Sequence, residues 1–295
     1  MLVSNHAVAP DSPSETAVRR WKDRVPVPLC GIAGYSLSDE SAVDQTLATQ
    51  TLLAAISERG SDAVGYAYRG PGEPIAVRKQ RGGASKLLDR LHVPGGARQT
   101  IVHVRDYTKG HPSLTANNHP IRHGSVVGVH NGIVVNDEEI LVRHGVARAE
   151  PDMTVDSEAI FALADESGSL PSALEEVHGS LAAAWMDDRS PETLYLARGI
   201  GRPLWIGERR RELFFASTRS ALEVVERYTG VRLQKREVGE GSVVRVVDGR
   251  AARVDSFEPD RTFVEEKALP PVRAPEEARF CLARLAAIAT APVAR

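Results

Sequence analysis

The sequence predicts an α+β fold, in which short strands and helices alternate along the chain. Apolar, β-branched runs such as residues 100–104 and 179–186 have the length and composition of buried strands. Between such runs lie segments with apolar residues at helical spacing, and residues 42–58 are the longest example. Periodicity predicts this class but does not specify how the sheets stack.

Composition excludes several kinds of protein. The 295 residues are 42% hydrophobic and 26% charged, enough for a sizeable core, and the formal net charge is −2. This balance gives no electrostatic footprint for nucleic acid or an anionic membrane, and no apolar run is long enough to span a bilayer. Two cysteines, Cys30 and Cys281, cannot form a secreted-type disulfide framework, so we expect a cytoplasmic location.

The strands are predicted where apolar runs end at turn residues. The first opens with Cys30, and another is expected to end at an Asn131-Gly132 turn, because Asn-Gly after a strand is a common turn signal. The last ends at Asp248-Gly249. In chain order the predicted strands are 30–35, 75–78, 100–104, 125–129, 179–186, 194–198, 204–206, 213–216 and 242–247.

The helices are predicted from apolar residues at helical spacing together with capping or stop residues. Residues 42–58 stop at Gly60, and Ser217-Thr218 supplies a cap for a later helix. In chain order the predicted helices are 42–58, a short helix in 82–91, 137–145, one that starts near 156, 170–178, one that follows 217–218, and 276–288.

The two ends of the chain differ from the middle. Residues 1–29 are polar and lack the apolar segment of a signal peptide, so they are predicted to be a leader or propeptide. Residues 256–295 begin as a Pro-rich linker and finish in the amphipathic helix 276–288. This helix could dock on a partner, but we expect it to pack on its own domain.

Five separated motifs carry the chemistry: Cys30-Gly31-Ile32-Ala33-Gly34-Tyr35, the stretches 59–67 and 103–112, His130-Asn131-Gly132, and Val155-Asp156-Ser157. Together they resemble, in order, the glutaminase domain of class II glutamine amidotransferases, which are N-terminal-nucleophile hydrolases. The closest resemblance is to the glutaminase of glucosamine-6-phosphate synthase. It implies a four-layer αββα sandwich over residues 30–255.

The resemblance also implies roles in attack on a glutamine amide. Cys30 falls on the nucleophile, whose own free α-amino group is the base. Asn131 and Gly132 fall on the pair that donates to the oxyanion, an interaction worth roughly 3–4 kcal/mol per donor in other acyl-transfer enzymes. The sequence-level alternative for Cys30 is a small buried hydrophobe.

Further positions fall on groups that bind the amino-acid end of glutamine. Arg105 matches the arginine that grips the α-carboxylate, Thr108 a threonine near the substrate, and Asp156 the aspartate that pairs with the α-ammonium. A surface arginine and a helix N-cap are the alternatives for Arg105 and Asp156. Asp106 and Lys109 depart from the family pattern, which has Trp and His there.

Other residues near these motifs have simpler interpretations. An ordinary corner between helix and strand is sufficient for Asp62. The four histidines His111, His119, His123 and His130 lack the spacing of a zinc site, so we expect hydrogen-bonded loop and core histidines and predict no metal or cofactor.

The function predicted is hydrolysis of L-glutamine, for which Cys30 must become the first residue. Cleavage after Leu29, or translation that starts at Leu29, would achieve this. About forty residues follow Asp255, too few for an acceptor domain, so a separate acceptor enzyme is expected. The alternatives are a γ-glutamyl amide or peptide hydrolase, separable by its substrates, and a catalytically silent glutamine-binding or regulatory module, which would bind glutamine without turnover.

Overall fold

The computed structural model describes residues 30–264 and 272–290. Thirteen strands occur there: β1 Gly31–Leu37, β2 Ala63–Arg69, β3 Ala76–Arg81, β4 Gln99–Arg105, β5 Ile121–His123, β6 Val126–Val134, β7 Gly179–Asp187, β8 Thr193–Arg198, β9 Trp205–Arg209, β10 Glu212–Ala216, β11 Gln234–Glu237, β12 Ser242–Val247 and β13 Arg250–Ser256. The α-helices in the same residues are α1 Gln45–Ile56, α2 Asp137–Arg143, α3 Glu158–Ser167, α4 Arg219–Thr229 and α5 Pro275–Thr290.

The strands form two antiparallel sheets. The first has seven strands in the order β11-β9-β10-β1-β4-β2-β3, which places β1 at its centre. The second has six strands in the order β13-β12-β8-β7-β6-β5. Successive side chains of a strand point to opposite faces, so each sheet offers one face to the other sheet and one to helices.

Three apolar clusters define four layers. Helices α1, α4 and α5 cover the outer face of the first sheet, where Leu52, Leu222 and Leu285 pack with strand residues. Helices α2 and α3 cover the second sheet through residues such as Phe161. Between the sheets, residues such as Ile101 of β4 pack with residues of β6 and β7. The predicted αββα sandwich is therefore confirmed.

Several predicted elements differ from the structure. Asn131 and Gly132 do not end a strand, because β6 continues through them and pairs with β7 from Val126 to Val134. The ladder with β7 overrides the local turn signal. The predicted helix 170–178 is a 3₁₀-helix at Pro171–Glu176, and the one expected in 82–91 is two 3₁₀ turns, Ala84–Lys86 and Leu88–Arg90.

The C-terminal helix is confirmed and packs on its own domain. In α5, Cys281 and Leu285 are fully buried against the layer that contains α1. Of the other predicted end segments, the leader 1–29 lies outside the described residues, as does part of the linker, 265–271. No helix within the described part of the chain is long and apolar enough to cross a membrane.

Candidate active site

Cys30 lies immediately before β1, at the head of the central strand of the first sheet. The residue is 8% exposed, and its Sγ donates to the backbone oxygen of Asp106 at 3.4 Å. Burial raises the pKa of the Cys30 thiol to about 11, although Arg105 nearby favours the thiolate. A thiol with this pKa is protonated at neutral pH, so attack by its sulfur requires a base close to it.

The side chains of three candidate residues share the space between the sheets. Residues two or four positions apart along a strand point to the same face of the sheet. Cys30 therefore points to the same face as Ile32, and Arg105 to the same face as Ile101, and both isoleucines pack between the sheets. Asn131 in β6 shares the face of Val127 and Val129, which belong to the same cluster.

The turn that follows α1 holds both the nucleophile candidate and the loop after β4. Arg59 is 2% exposed, and its Nε donates to the Cys30 carbonyl at 3.0 Å. The Asp62 N–H donates to the Arg105 carbonyl at 3.0 Å, and the Asp62 carboxylate accepts from the Tyr107 N–H at 3.0 Å. Asp62 is therefore more than a corner residue, since it anchors that loop on both sides of Asp106.

Arg105 ends β4, is 2% exposed and is held rigidly. Its Nη1 donates to Asn118 Oδ1 at 2.7 Å, while Nη2 donates to the carbonyls of Lys109 and Gly110 at 2.7 and 2.6 Å. The surface-arginine alternative is wrong. Thr108 is half-buried in the loop that supplies these carbonyls.

Asp156 is buried just before α3. Its Oδ2 accepts from the Val134 N–H of β6 at 2.8 Å and its Oδ1 from the Ser157 N–H at 2.9 Å. Burial, aided by Asp137, raises the pKa of Asp156 to about 6. The N-cap alternative is wrong, because Ser157 occupies the cap position of α3.

Asn131 and Gly132 lie side by side in β6. Asn131 is fully buried, yet neither its amide nitrogen nor its amide oxygen has a hydrogen-bond partner among the described residues. Such an unsatisfied group costs free energy unless a ligand completes it. Gly132 has φ +150°, and a Cβ there would lie 1.9 Å from the Ser180 carbonyl oxygen, so only glycine fits.

Three buried histidines, His103, His119 and His130, lie close to Arg105 and Asn131 in the sequence. The His103 and His119 rings stack with centroids 4.2 Å apart, and His103 Nε2 lies 3.1 Å from the His130 carbonyl oxygen of the facing sheet. Burial lowers the pKa of both His103 and His130 to about 3, so these imidazoles are neutral. The expectation of hydrogen-bonded histidines fails for His119, whose two ring nitrogens lack partners in the described ranges.

Lys109, which departs from the family pattern, has a buried partner. Its Nζ lies 2.7 Å from Oδ1 of Asp137, which is 1% exposed and also pairs with Arg148 at 3.0 Å. Because the Lys109 carbonyl accepts from Arg105, this ion pair ties the arginine to the start of α2. The described part of the chain contains no cluster of His, Cys, Asp and Glu that could hold a metal.

The stacked antiparallel sheets, with a cysteine at the head of a central strand, define the fold class of the N-terminal-nucleophile hydrolases. Among solved structures, the glutamine phosphoribosylpyrophosphate amidotransferase from B. subtilis, complexed with ADP and GMP, matches with a TM-score of 0.60 and 22% identity. The match covers 77% of this chain and 49% of that chain.

Sequence comparisons specify the family. A family model described as a glutamine amidotransferase domain matches residues 104–224. Glutamine–fructose-6-phosphate aminotransferase of Aliivibrio fischeri is 32% identical over 244 residues, which are 77% of this chain and 38% of that protein. The Thermococcus kodakarensis enzyme of the same name is 34% identical over 204 residues, 64% of this chain and 32% of that protein. This chain carries a class II glutamine amidotransferase domain and spans about a third of the length of these curated relatives.

Sequence reasoning assigned no role to three residues that hold the site together, namely Arg59, Asp62 and Asn118. Arg59 and Asp62 lie within the stretch 59–67, one of the motifs that carry the resemblance, and Asn118 lies shortly after the stretch 103–112. Their roles could not be predicted from these motifs, because the contacts join segments that are distant in sequence, such as Arg59 and Cys30.

Proposed function

We propose that this domain hydrolyses the side-chain amide of L-glutamine through a thioester on Cys30 and supplies ammonia to a separate acceptor enzyme. The observation that carries the proposal is the gathering of complementary groups around one buried thiol. The Cys30 sulfur contacts the loop of Arg105, and both Arg105 and Asp156 are near enough to affect its ionisation. These two charges are opposite, as the carboxylate and ammonium of an amino acid require.

The amino-acid end of glutamine binds between the two charged side chains. Arg105 faces the α-carboxylate with a guanidinium already fixed by three acceptors, so little entropy is lost on binding. Asp156 faces the α-ammonium with a carboxylate held by two backbone N–H groups. This clamp orients the side-chain amide toward Cys30.

The chemical steps require a free α-amino group on Cys30. That amine takes the thiol proton, and the sulfur attacks the amide carbon of the substrate. The oxygen becomes negative and accepts hydrogen bonds from the Asn131 amide and the Gly132 N–H. The protonated amine then gives its proton to the departing nitrogen, which leaves as ammonia. Water, deprotonated by the same amine, cleaves the thioester and releases glutamate.

The base and the compartment are parts of this proposal. An α-amine titrates near pH 8 and can accept the thiol proton, whereas a peptide nitrogen has no available lone pair. Residues 1–29 must therefore be removed, or never made, before catalysis. The cysteine content favours a reducing cytoplasm.

Glutamine binding is expected to weaken in acid. Only the carboxylate form of Asp156 attracts an ammonium, so protonation below about pH 6 removes the attraction. The KM for glutamine should rise as pH falls, by about tenfold for each pH unit well below that pKa. Above about pH 7 the carboxylate is mostly ionised, so KM should change little.

Steady-state assays of glutamate release between about pH 5 and 8 test both the function and this clamp. In Asp156→Asn, KM should be high throughout and lose the acid dependence. Asp165→Asn is a control, because Asp165 binds Ser125 at the far end of α3. No glutamate release by protein that begins at Cys30 would contradict the function, and a constant wild-type KM would contradict the role of Asp156.

A further inference from the structure

The segment before α5 reaches the loop that contacts the nucleophile candidate. Arg273 Nε lies 2.9 Å from Oδ2 of Asp106, the residue found where the resembled family has Trp. The backbone oxygen of Asp106 accepts from Cys30 Sγ at 3.4 Å. One residue therefore presents its carboxylate to the C-terminal segment and its carbonyl to the thiol.

Arg273 also touches the turn on the other side of Cys30. The N–H groups of Arg273 and Ala274 donate to the Glu58 carbonyl at 2.7 and 2.8 Å. The next residue, Arg59, donates to the Cys30 carbonyl at 3.0 Å. The C-terminal segment thus contacts both backbone segments that hold Cys30.

The position of Arg273 is fixed by the helix that follows it. Cys281 and Leu285 are fully buried on the layer containing α1. Glu277 accepts from the N–H and the hydroxyl of Ser85, each at 2.9 Å. The ion pair is itself sheltered, since the side chains of Arg273 and Asp106 are 34% and 20% exposed. A pair on anchored backbone loses less side-chain entropy than a freely exposed one.

We propose that Arg273 is a positioning residue of the glutamine site, which acts on Cys30 through its ion pair with Asp106. This inference rests on the proposed function, and it gives α5 a role in that site beyond packing. The guanidinium neutralises the Asp106 carboxylate, whose charge would otherwise oppose the forming thiolate.

The electrostatic part follows from the charges around the sulfur. Arg59 and Arg105 favour the thiolate, while Asp106 and Asp156 oppose it. Removing the Arg273 charge leaves Asp106 uncompensated, so the pKa of the Cys30 thiol should rise. Removing the Asp106 charge as well should reverse that rise.

The test compares Arg273→Gln, Asp106→Asn, the double variant and Arg284→Gln. The last is a matched control, since Arg284 of α5 pairs with Asp89 at 2.6 Å, away from Cys30. We expect Arg273→Gln to lower kcat for glutamine about three- to tenfold, because a thiol with a higher pKa gives its proton to the α-amine less readily. The double variant should recover most of that loss, and Arg284→Gln should match the wild type.

A second readout does not depend on turnover. The rate at which iodoacetamide alkylates Cys30, followed by peptide mass against pH, reports the thiol ionisation directly. Its midpoint should move to higher pH in Arg273→Gln and return in the double variant. Equal midpoints in Arg273→Gln and Arg284→Gln, or no recovery in the double variant, would overturn the role of Arg273. Absence of glutamine hydrolysis with these midpoint shifts intact would overturn the proposed function alone.

Discussion

Replacing Cys30 with alanine is expected to abolish glutamate release from glutamine, with a fall in kcat of at least about 10⁴-fold. The Cys30 sulfur contacts the loop of Arg105 and is influenced by both Arg105 and Asp156. Without it, the proposed thioester cannot form, and the proposed oxyanion donors, Asn131 and Gly132, have no intermediate to stabilise. Assays of ammonia and glutamate under saturating glutamine would measure the loss.

The matched control is Cys281→Ala, the same substitution at the other cysteine. Cys281 is fully buried in α5 and contributes to the apolar layer on α1. Its replacement should lower the free energy of unfolding by about 1 kcal/mol, through a small cavity, and leave kcat unchanged. Wild-type activity in Cys30→Ala would show that the nucleophile is another residue.

Replacing Asn131 with alanine is expected to lower kcat by about 10²–10³-fold with little loss of stability. The kinetic effect follows from the proposed role of the Asn131 amide as a preorganised oxyanion donor. The stability effect is unusual for a fully buried polar residue and follows from its unsatisfied amide in the described structure. Alanine removes two buried polar atoms that have no partner among residues 30–264 and 272–290, so the midpoint of thermal unfolding should stay the same or rise.

Asn118→Ala provides the comparison. The Asn118 amide accepts from Arg105 at 2.7 Å and donates to the Pro112 carbonyl at 2.8 Å, so both atoms are satisfied. Its loss should lower the free energy of unfolding by about 1–3 kcal/mol and raise the KM for glutamine, because Arg105 loses one of its supports. If Asn131→Ala were as destabilising as Asn118→Ala, or kept its kcat, the oxyanion role of Asn131 would be contradicted.

The fold was predictable where strands are buried and apolar. The periodic runs that became β4, β7 and β12 were found, but β11 and β13 were missed, because their sequences QKRE and RAARVDS carry little apolar pattern. Both lie at sheet edges, where one long side of the strand has no partner strand. The prediction that two sheets stack rests on the resemblance alone, since alternation of strands and helices fits many α+β folds.

The site was predictable where one short motif contains the chemistry. Arg105, Asp156 and Asn131 each stand in such a motif, and all three are buried. Arg105 and Asp156 are near enough to Cys30 to affect its ionisation, and Asn131 lies in β6 of the facing sheet. The pair Arg273 and Asp106 was not foreseen, because its members are 167 residues apart in sequence. Such a contact depends on how α5 packs, which local patterns do not specify.

The proposed mechanism requires the Cys30 sulfur to work with an α-amino group on the same residue. The most direct measurement is the intact mass of natively produced protein, taken together with its rate of glutamine hydrolysis. Active protein is expected to begin at Cys30, and a chain kept uncleaved, in which residue 29 still acylates the amine, is expected to be inactive. Full activity in a chain that retains residues 1–29 would show that the α-amino group is not the base.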